Sequence, residues 1–205
     1  MPTKPTKKIG IPHEIYQIKV TLLGARPPIW RRLLVPADLT LERLHDVLQL
    51  AMGWDDCHMH EFRIGQKRFG KPDPNERLMG MPTTANEGAA QLFRVLGKAG
   101  AKAVYTYDFG DSWEHGITVE KVLAPEPGRV YPACVDGKRQ GPPEDCGGVY
   151  GFYDLLETIG NPDHEQYAET MEWLGEDFDP EAFSVDEVNH RLAYLHRRRS
   201  KAQGA

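Results

Sequence analysis

The first part of the chain alternates hydrophobic and polar residues with a period of two, which indicates half-buried β-strands. Residues 15–23 (IYQIKVTLL) and 29–35 (IWRRLLV) show this pattern on either side of a Gly/Pro turn and predict a hairpin. The period becomes helical after Thr40, a favourable N-cap, and continues to a stop at Gly53. The apolar positions of this helix are Leu41, Leu44, Val47, Leu48 and Ala51. A hairpin followed by an amphipathic helix predicts an α+β fold.

The same patterns continue along the rest of the chain. They predict strands at 60–65, 67–70, 103–109 and 116–122. They predict helices at 89–97, 149–159 and 163–174, and a last helix that opens at a capping box formed by Ser184 and Glu187. Two segments rich in Pro and Gly, 71–87 and 125–148, are predicted loops. The fold class is therefore α+β: a mixed or antiparallel sheet built from hairpins with a packed helix, then a helical C-terminal part.

The predicted organisation is a single α+β domain at 15–196, sheet-rich over 15–124, with a loop and helices over 125–196. A disordered basic tail at 1–14 and a second basic tail at 197–205 flank it. Apolar side chains of a domain this size form its core, so all four tryptophans are predicted to be largely buried. They are Trp30, Trp54, Trp113 and Trp173.

Composition narrows the function classes. The 205 residues are 40% hydrophobic and 27% charged, with a formal net charge of −5, which weighs against general affinity for nucleic-acid phosphates. No apolar run reaches the ~20 residues of a membrane span, so no membrane association is expected. The basic N-terminus lacks the apolar stretch of a secretory signal. Three cysteines at irregular spacing argue against a disulfide framework and for the reducing cytoplasm.

Three polar clusters are candidate sites. The first is YDFGDSWEHGITVE at 107–120, a hairpin tip whose candidates for ligand or partner contact are Asp108, Asp111, Trp113, Glu114 and His115. The alternative is a turn braced by its own carboxylates above a packed tryptophan. The second is WDDCHMHE at 54–61, in which His58 and His60 would share one face of a strand and offer two metal ligands. A surface or packing role for the two histidines is the alternative.

The third cluster is the loop YPACVDGKRQGPPEDCGGVYGF at 131–152. It has too few apolar residues to fold by itself, so it is held either by a metal or by dense backbone hydrogen bonding. Glu144 and Asp145 are its candidates for ligand contact, and Cys134 and Cys146 are candidate metal ligands. We expect this loop (Glu144, Asp145, Cys146) and the hairpin tip (Asp111, Glu114, His115) to lie close together on one rim of the sheet, with His58 and His60 as the third side. The alternative is that the loops lie on different faces, each satisfied by its own backbone.

Four stretches together resemble the pRiA4b plasmid ORF-three-like family, passenger proteins of insertion elements. They are PPIWRRLLVP, YDFGDSWEH with its trailing VE, PACVDGKRQGPPEDCGGVYGF, and DFDPEAF followed by VN. The resemblance spans Tyr16 to Leu192 and implies an α+β fold and an association with mobile elements of bacteria or archaea. It implies no established activity. The family pattern ACPPEDC would place a third cysteine at Gly141, and its absence here weakens the case for a cysteine-based zinc site.

Two functions remain open. The first is a non-enzymatic accessory or binding module that acts through a protein or nucleic-acid partner, because the chain has no P-loop, G-x-S-x-G, H-E-x-x-H or Rossmann motif. The second is a metal-dependent hydrolase or nuclease that uses Zn or Mn. The carboxylates and histidines of the three clusters are its candidate ligands.

Overall fold

A computed structural model of the protein describes residues 13–76, 80, 83–175 and 178–202, with side chains as far as 195. Along this part of the chain the strands are β1 (Ile15–Leu22), β2 (Trp30–Pro36), β3 (His60–Ile64), β4 (Lys67–Gly70), β5 (Ala85–Asn86), β6 (Lys102–Tyr107), β7 (Trp113–Leu123) and β8 (Ala133–Lys138). The helices are α1 (Leu41–Met52), α2 (Leu92–Val95), α3 (Gly148–Ile159), α4 (Tyr167–Leu174) and α5 (Val185–Ala202), with a short 3-10 helix at Glu87–Ala89.

All eight strands join one sheet in the order β5-β4-β3-β6-β7-β1-β2-β8. Every neighbouring pair is antiparallel except β4 and β5, which are parallel. Three of the pairs are hairpins of consecutive strands. This architecture confirms the predicted α+β fold with a mixed sheet built from hairpins.

The core lies between one face of the sheet and α1. Alternate residues of β1 from Tyr16 to Leu22 point to this face and are buried, as the period of two predicts. Thr40 caps α1 by accepting a hydrogen bond from the Arg43 amide (3.3 Å), and Gly53 ends the helix in the left-handed conformation. Helix α5 packs on α1 and β8. No helix in the described residues is long and apolar enough to cross a membrane.

The largest departure from the predicted elements is β8, which lies inside the segment 125–148 that was predicted to be a loop. This strand pairs with β2 and forms one edge of the sheet. At Cys134 a side chain pairs with the backbone of this edge strand: the Asn189 amide group of α5 accepts a hydrogen bond from the N–H (2.7 Å) and donates one to the carbonyl (2.9 Å). The strand therefore depends on partners distant in sequence.

Other boundaries also shift. Helix α2 is shorter than predicted, α4 begins at Tyr167, and β7 begins at Trp113. The backbone of α5 continues to Ala202, through most of the segment assigned to a basic tail. Residues 1–12 of the predicted N-terminal tail and 203–205 lie outside the described residues.

The burial predicted for all four tryptophans is wrong for one of them. Trp54 and Trp113 are buried. Trp30 is half-buried, with the cations of Lys19 and Arg32 over its ring. Trp173 is 53% exposed, because α4 packs too loosely to bury any of its residues fully.

Candidate functional site

Asp108 braces the turn between β6 and β7. Its backbone is left-handed (φ 54°), a conformation that Asp tolerates better than most residues. Its Oδ1 accepts a hydrogen bond from the Gly110 amide (2.9 Å), and its carbonyl accepts one from Ser112 (2.6 Å). The turn is thus held by its own aspartate, while Oδ2 lies 3.8 Å from Nε2 of His58.

The Pro-rich loop meets this turn at the start of α3. Asp145 also has a left-handed backbone (φ 58°), and its Oδ1 lies 3.1 Å from Nε2 of His58. Asp111 accepts a hydrogen bond from the Gly147 amide through Oδ2 (3.1 Å). The turn between β6 and β7 and the Pro-rich loop, which are distant in sequence, therefore meet at one rim of the sheet.

Tyr107 joins the segment before β3 to the same loop. Its hydroxyl accepts hydrogen bonds from the amides of Cys57 (2.9 Å) and His58 (3.3 Å) and donates one to Oε1 of Glu144. The second oxygen of Glu144 accepts from the Asp55 amide (2.9 Å). Burial, reinforced by the Glu144 carboxylate, raises the pKa of Tyr107 well above its usual value, so the hydroxyl stays protonated and remains a donor. Glu144 thus positions the site rather than facing it.

The result is a group of three potential metal ligands: His58, Asp108 and Asp145. One ligand atom of each lies within 4.8 Å of the others. Nε2 of His58 is inaccessible to solvent and has no hydrogen bond of acceptable geometry, although two carboxylate oxygens are near it. The Asp145 side chain is 70% exposed, so the group opens to solvent on one side. One imidazole nitrogen and two carboxylates form a ligand set suited to Zn²⁺ or Mn²⁺.

His60 belongs to a different group, with His45 and Asp56. His45 bonds Asp56 through Nε2 (2.8 Å), and His60 bonds Glu87 through Nε2 (2.9 Å). The two imidazoles are stacked, with ring centroids 3.5 Å apart and planes 8° from parallel. Their lone pairs therefore lie in two separate parallel planes and do not point at one ion. This second group consists of two histidine–carboxylate contacts, one buried with Glu87 and one with the exposed Asp56, and it separates His60 from His58.

The pairing of His58 and His60 on one strand face was predicted from their spacing. The structure does not place them together because β3 begins only at His60, after a left-handed residue at Asp56. Sequence reasoning also did not single out His45, Glu87 or Tyr107. The sequence does indicate that His45 is buried, because it lies four residues after Leu41 on the apolar face of α1.

Three candidates from the hairpin lie away from the metal-ligand group. Trp113 and His115 point from β7 into the core and are buried, so neither reaches a ligand at the turn. Glu114 alternates to the opposite face of the sheet, where it lies 3.6 Å from Arg63. Strand β7 begins earlier than predicted, and the alternation of its residues explains all three positions.

The cysteines also lie apart from the ligand group. Cys134 is buried on β8, where its Sγ is 3.4 Å from the Asp136 carbonyl. Burial, with a smaller contribution from the Asp111 carboxylate, raises the pKa of the Cys146 thiol to about 12, so the thiol stays protonated at neutral pH. Neither group of three ligands found among the described residues contains a cysteine. A Cβ at Gly141 would lie 2.3 Å from the Met52 carbonyl, so this loop conformation has no room for a cysteine there.

Gly148, the first residue of α3, lies against the backbone of the turn at Asp111. A substitution there tests this close contact. The φ of Gly148 is +69°, and a Cβ would lie 2.3 Å from the Asp111 carbonyl oxygen. We expect Gly148→Ala to lower the free energy of unfolding by about 2 kcal/mol or more, from left-handed strain plus the clash. Urea unfolding measures this loss. Gly100→Ala is the matched control, because Gly100 also has positive φ (+84°) but open space around it. Equal losses for the two variants would contradict the close contact between the turn and α3.

Comparison with known proteins agrees with the motifs. The model of a family described as "Plasmid pRiA4b ORF-3-like protein" matches residues 14–187. A relative from Sinorhizobium fredii (strain NBRC 101917 / NGR234), titled "Uncharacterized protein y4hQ", is 40% identical over 177 residues, which are 85% of this chain and 89% of the relative. The crystal structure of a protein of unknown function, MM3350 from Methanosarcina mazei Go1, is similar with a TM-score of 0.76 and 37% identity. The match covers 85% of this chain and 97% of that one.

Proposed function

The chain belongs to the plasmid pRiA4b ORF-3-like family, and we propose that it is an accessory protein that binds a divalent cation between His58, Asp108 and Asp145. One observation carries the proposal. Nε2 of His58 is shielded from solvent and lacks a hydrogen bond, yet it lies beside oxygens of two carboxylates. A cation between them would use the nitrogen lone pair and neutralise the repulsion between the two aspartates.

The supports around the group favour binding over a simple surface ion pair. The carboxylate of Asp108 is fixed by its hydrogen bond from the Gly110 amide, and metal ligands in proteins are oriented by such outer hydrogen bonds. The hydroxyl of Tyr107 holds the backbone of His58 by accepting from its amide. Left-handed backbones at both aspartates are a conformational cost of the kind that is concentrated at functional sites. The accessory role itself rests on the plasmid origin in the family description and on the absence of catalytic motifs in the sequence.

Titration calorimetry with Zn²⁺ and with Mn²⁺ tests the proposal on protein stripped with a chelator. We expect one ion per chain. Replacing even an outer partner of a metal ligand typically weakens binding 10–100-fold, so Asp145→Asn should raise the Kd at least about tenfold. Glu114→Gln removes a carboxylate from the opposite face of the sheet and should leave the Kd unchanged. If neither ion binds, or if the two variants bind alike, His58 and Asp145 form only an ion pair.

A metal-dependent hydrolase or nuclease is the second candidate function. The observation in its favour is the exposure of Asp145, which leaves the solvent side of the ligand group open. Catalytic metal sites commonly have three protein ligands and a free position for water. Hydrolysis of bis(p-nitrophenyl) phosphate in the presence of Mn²⁺ tests this candidate, and the activity should disappear in Asp145→Asn. Stoichiometric metal binding without hydrolysis would exclude the hydrolase and leave the accessory role as the remaining proposal.

A further inference from the structure

A cavity of about 530 Å³ lies between the end of α1, the loop 140–143, α4 and the first turns of α5. Its volume is within the ~300–1,000 Å³ range of small-molecule sites. His58, Asp108 and Asp145 do not line it. It is therefore separate from the metal-ligand group.

Two arginines line this cavity without a carboxylate partner in the described residues. Arg31 is 2% exposed and donates to the carbonyls of Ala51 (2.9 Å) through Nε and of Trp30 and Lys138 (3.0 Å each) through Nη1. Arg191 donates to the Leu50 carbonyl through Nε (2.9 Å). Carbonyls hold both guanidinium groups in place but do not neutralise them. Buried charges in proteins are normally paired, so the buried guanidinium of Arg31 lacks a counter-ion among the described residues, and the half-buried Arg191 beside it adds a second positive charge.

The electrostatics of the two arginines point the same way. Burial lowers the pKa of Arg31 to about 10, and the nearby positive charge of Arg191 contributes to the decrease. Arg31 still carries its charge at neutral pH and is repelled by the charge of Arg191. Glu187 also lies on the cavity wall, but it forms no ion pair with either arginine. An anion in the cavity would relieve this repulsion.

Aromatic side chains line part of the wall, beside polar ones that include Gln140 and Ser184. Phe183 stacks against the guanidinium of Arg31, with 4.8 Å between that group and the ring centroid. Phe178 and Trp173 complete the aromatic surface. Trp173 is half-exposed, and an indole that faces a cavity offers a flat surface on which a planar ring can stack.

We propose that this cavity binds a small molecule that carries an oxyanion on a planar aromatic body. The oxyanion, a phosphate or carboxylate, would accept hydrogen bonds from Arg31 and Arg191, since guanidinium groups match the geometry of oxyanions. The planar body would stack on Trp173. A nucleoside monophosphate has both features and is the probe of choice.

Titration calorimetry with adenosine 5′-monophosphate, in low salt with a chelator present, tests the proposal. We expect binding of one molecule per chain, weaker binding of inorganic phosphate, and weaker binding of adenosine. A charge-assisted hydrogen bond contributes about 1.5–3 kcal/mol, so Arg191→Gln should raise the Kd for the monophosphate about 10–100-fold. Trp173→Ala should weaken binding of the monophosphate and leave that of phosphate unchanged.

Arg129→Gln is the matched control, because Arg129 is paired with Glu126 away from the cavity. It should bind the monophosphate like the unchanged protein, and circular dichroism establishes that each variant is folded. Binding that is unaffected by Arg191→Gln would overturn the proposal, as would failure of the unchanged protein to bind the monophosphate at millimolar concentration. Equal affinity for phosphate and monophosphate would overturn the aromatic part of the site. Since the titration contains a chelator, it does not depend on the proposed metal.

Discussion

Trp113→Ala should lower the free energy of unfolding by about 3–5 kcal/mol, the usual cost of truncating a large buried aromatic residue. Trp113 is fully buried and is paired with Tyr107 across β6 and β7. Its ring also lies 6.0 Å from that of Trp54. Truncation would therefore open a cavity directly beneath the turn that carries Asp108. Urea unfolding followed by far-UV circular dichroism measures the loss without depending on tryptophan fluorescence.

Trp173→Ala is the matched control for this experiment. The same atoms are removed from a side chain that is half-exposed on α4, so the loss should stay below about 1 kcal/mol. If Trp113→Ala is too unstable to purify, Trp113→Phe keeps most of the packing and should lose less. Similar losses for the alanine variants at 113 and 173 would contradict the burial of Trp113.

The strands predicted from alternation were found because each of them carries its own signal. In β1 and β7, burial alternates residue by residue, so the sequence alone indicates the period. Strand β8 (ACVDGK) has no such pattern and is surrounded by Pro and Gly. It forms because β2 offers a free edge and because the side chain of Asn189 accepts a hydrogen bond from the backbone amide of Cys134. No local pattern encodes either partner.

In the candidate site, too, the local sequence predicts some features, while others depend on distant partners. The polarity of the two segments predicted that the hairpin tip would lie near the Pro-rich loop of Glu144 and Asp145, and the contact of Asp111 with Gly147 brings the two segments together. The separate roles of the carboxylates depend on which carboxylate oxygen already accepts a hydrogen bond, and the folded arrangement of the loops decides this. The prediction that His115 contacts a ligand missed its buried position for a simpler reason. A shift of the start of β7 to Trp113 fixes which face each following residue occupies, and His115 then points into the core.

Acidification from pH 7 to pH 5 should destabilise the protein through His115. Its Nδ1 is 3.1 Å from the Trp113 carbonyl, and its Nε2 is buried without a hydrogen-bond partner. Burial lowers the pKa of His115 to about 4, against about 6.5 for a histidine in the unfolded chain. Between these values the unfolded chain binds a proton that the folded protein does not bind. The stabilising contribution is therefore complete above pH 6.5 and is lost as the pH falls towards 4.

The expected loss of unfolding free energy follows from the linkage between proton binding and folding. One proton bound only by the unfolded state changes the free energy of unfolding by about 1.4 kcal/mol per pH unit, or about 3 kcal/mol over the whole interval. Burial also lowers the pKa of His45, with a contribution from His60, and this adds to the loss in the same direction. Urea unfolding at several pH values between 5 and 7 measures the slope above the range in which most carboxylates titrate.

His115→Leu should flatten this slope, because it replaces the buried imidazole with an apolar side chain of similar volume. The free energy of unfolding of this variant, taken relative to that of the unchanged protein, should rise as the pH falls from 7 to 5. His13→Leu is the control, since it removes an exposed histidine and leaves the core intact. A slope in His115→Leu as steep as in the unchanged protein would show that folding does not lower the pKa of His115, so that the folded protein holds an imidazolium at pH 5. An imidazolium in contact with the rings of Trp54 and Tyr105 would require a counter-ion, and none of the described residues provides one there.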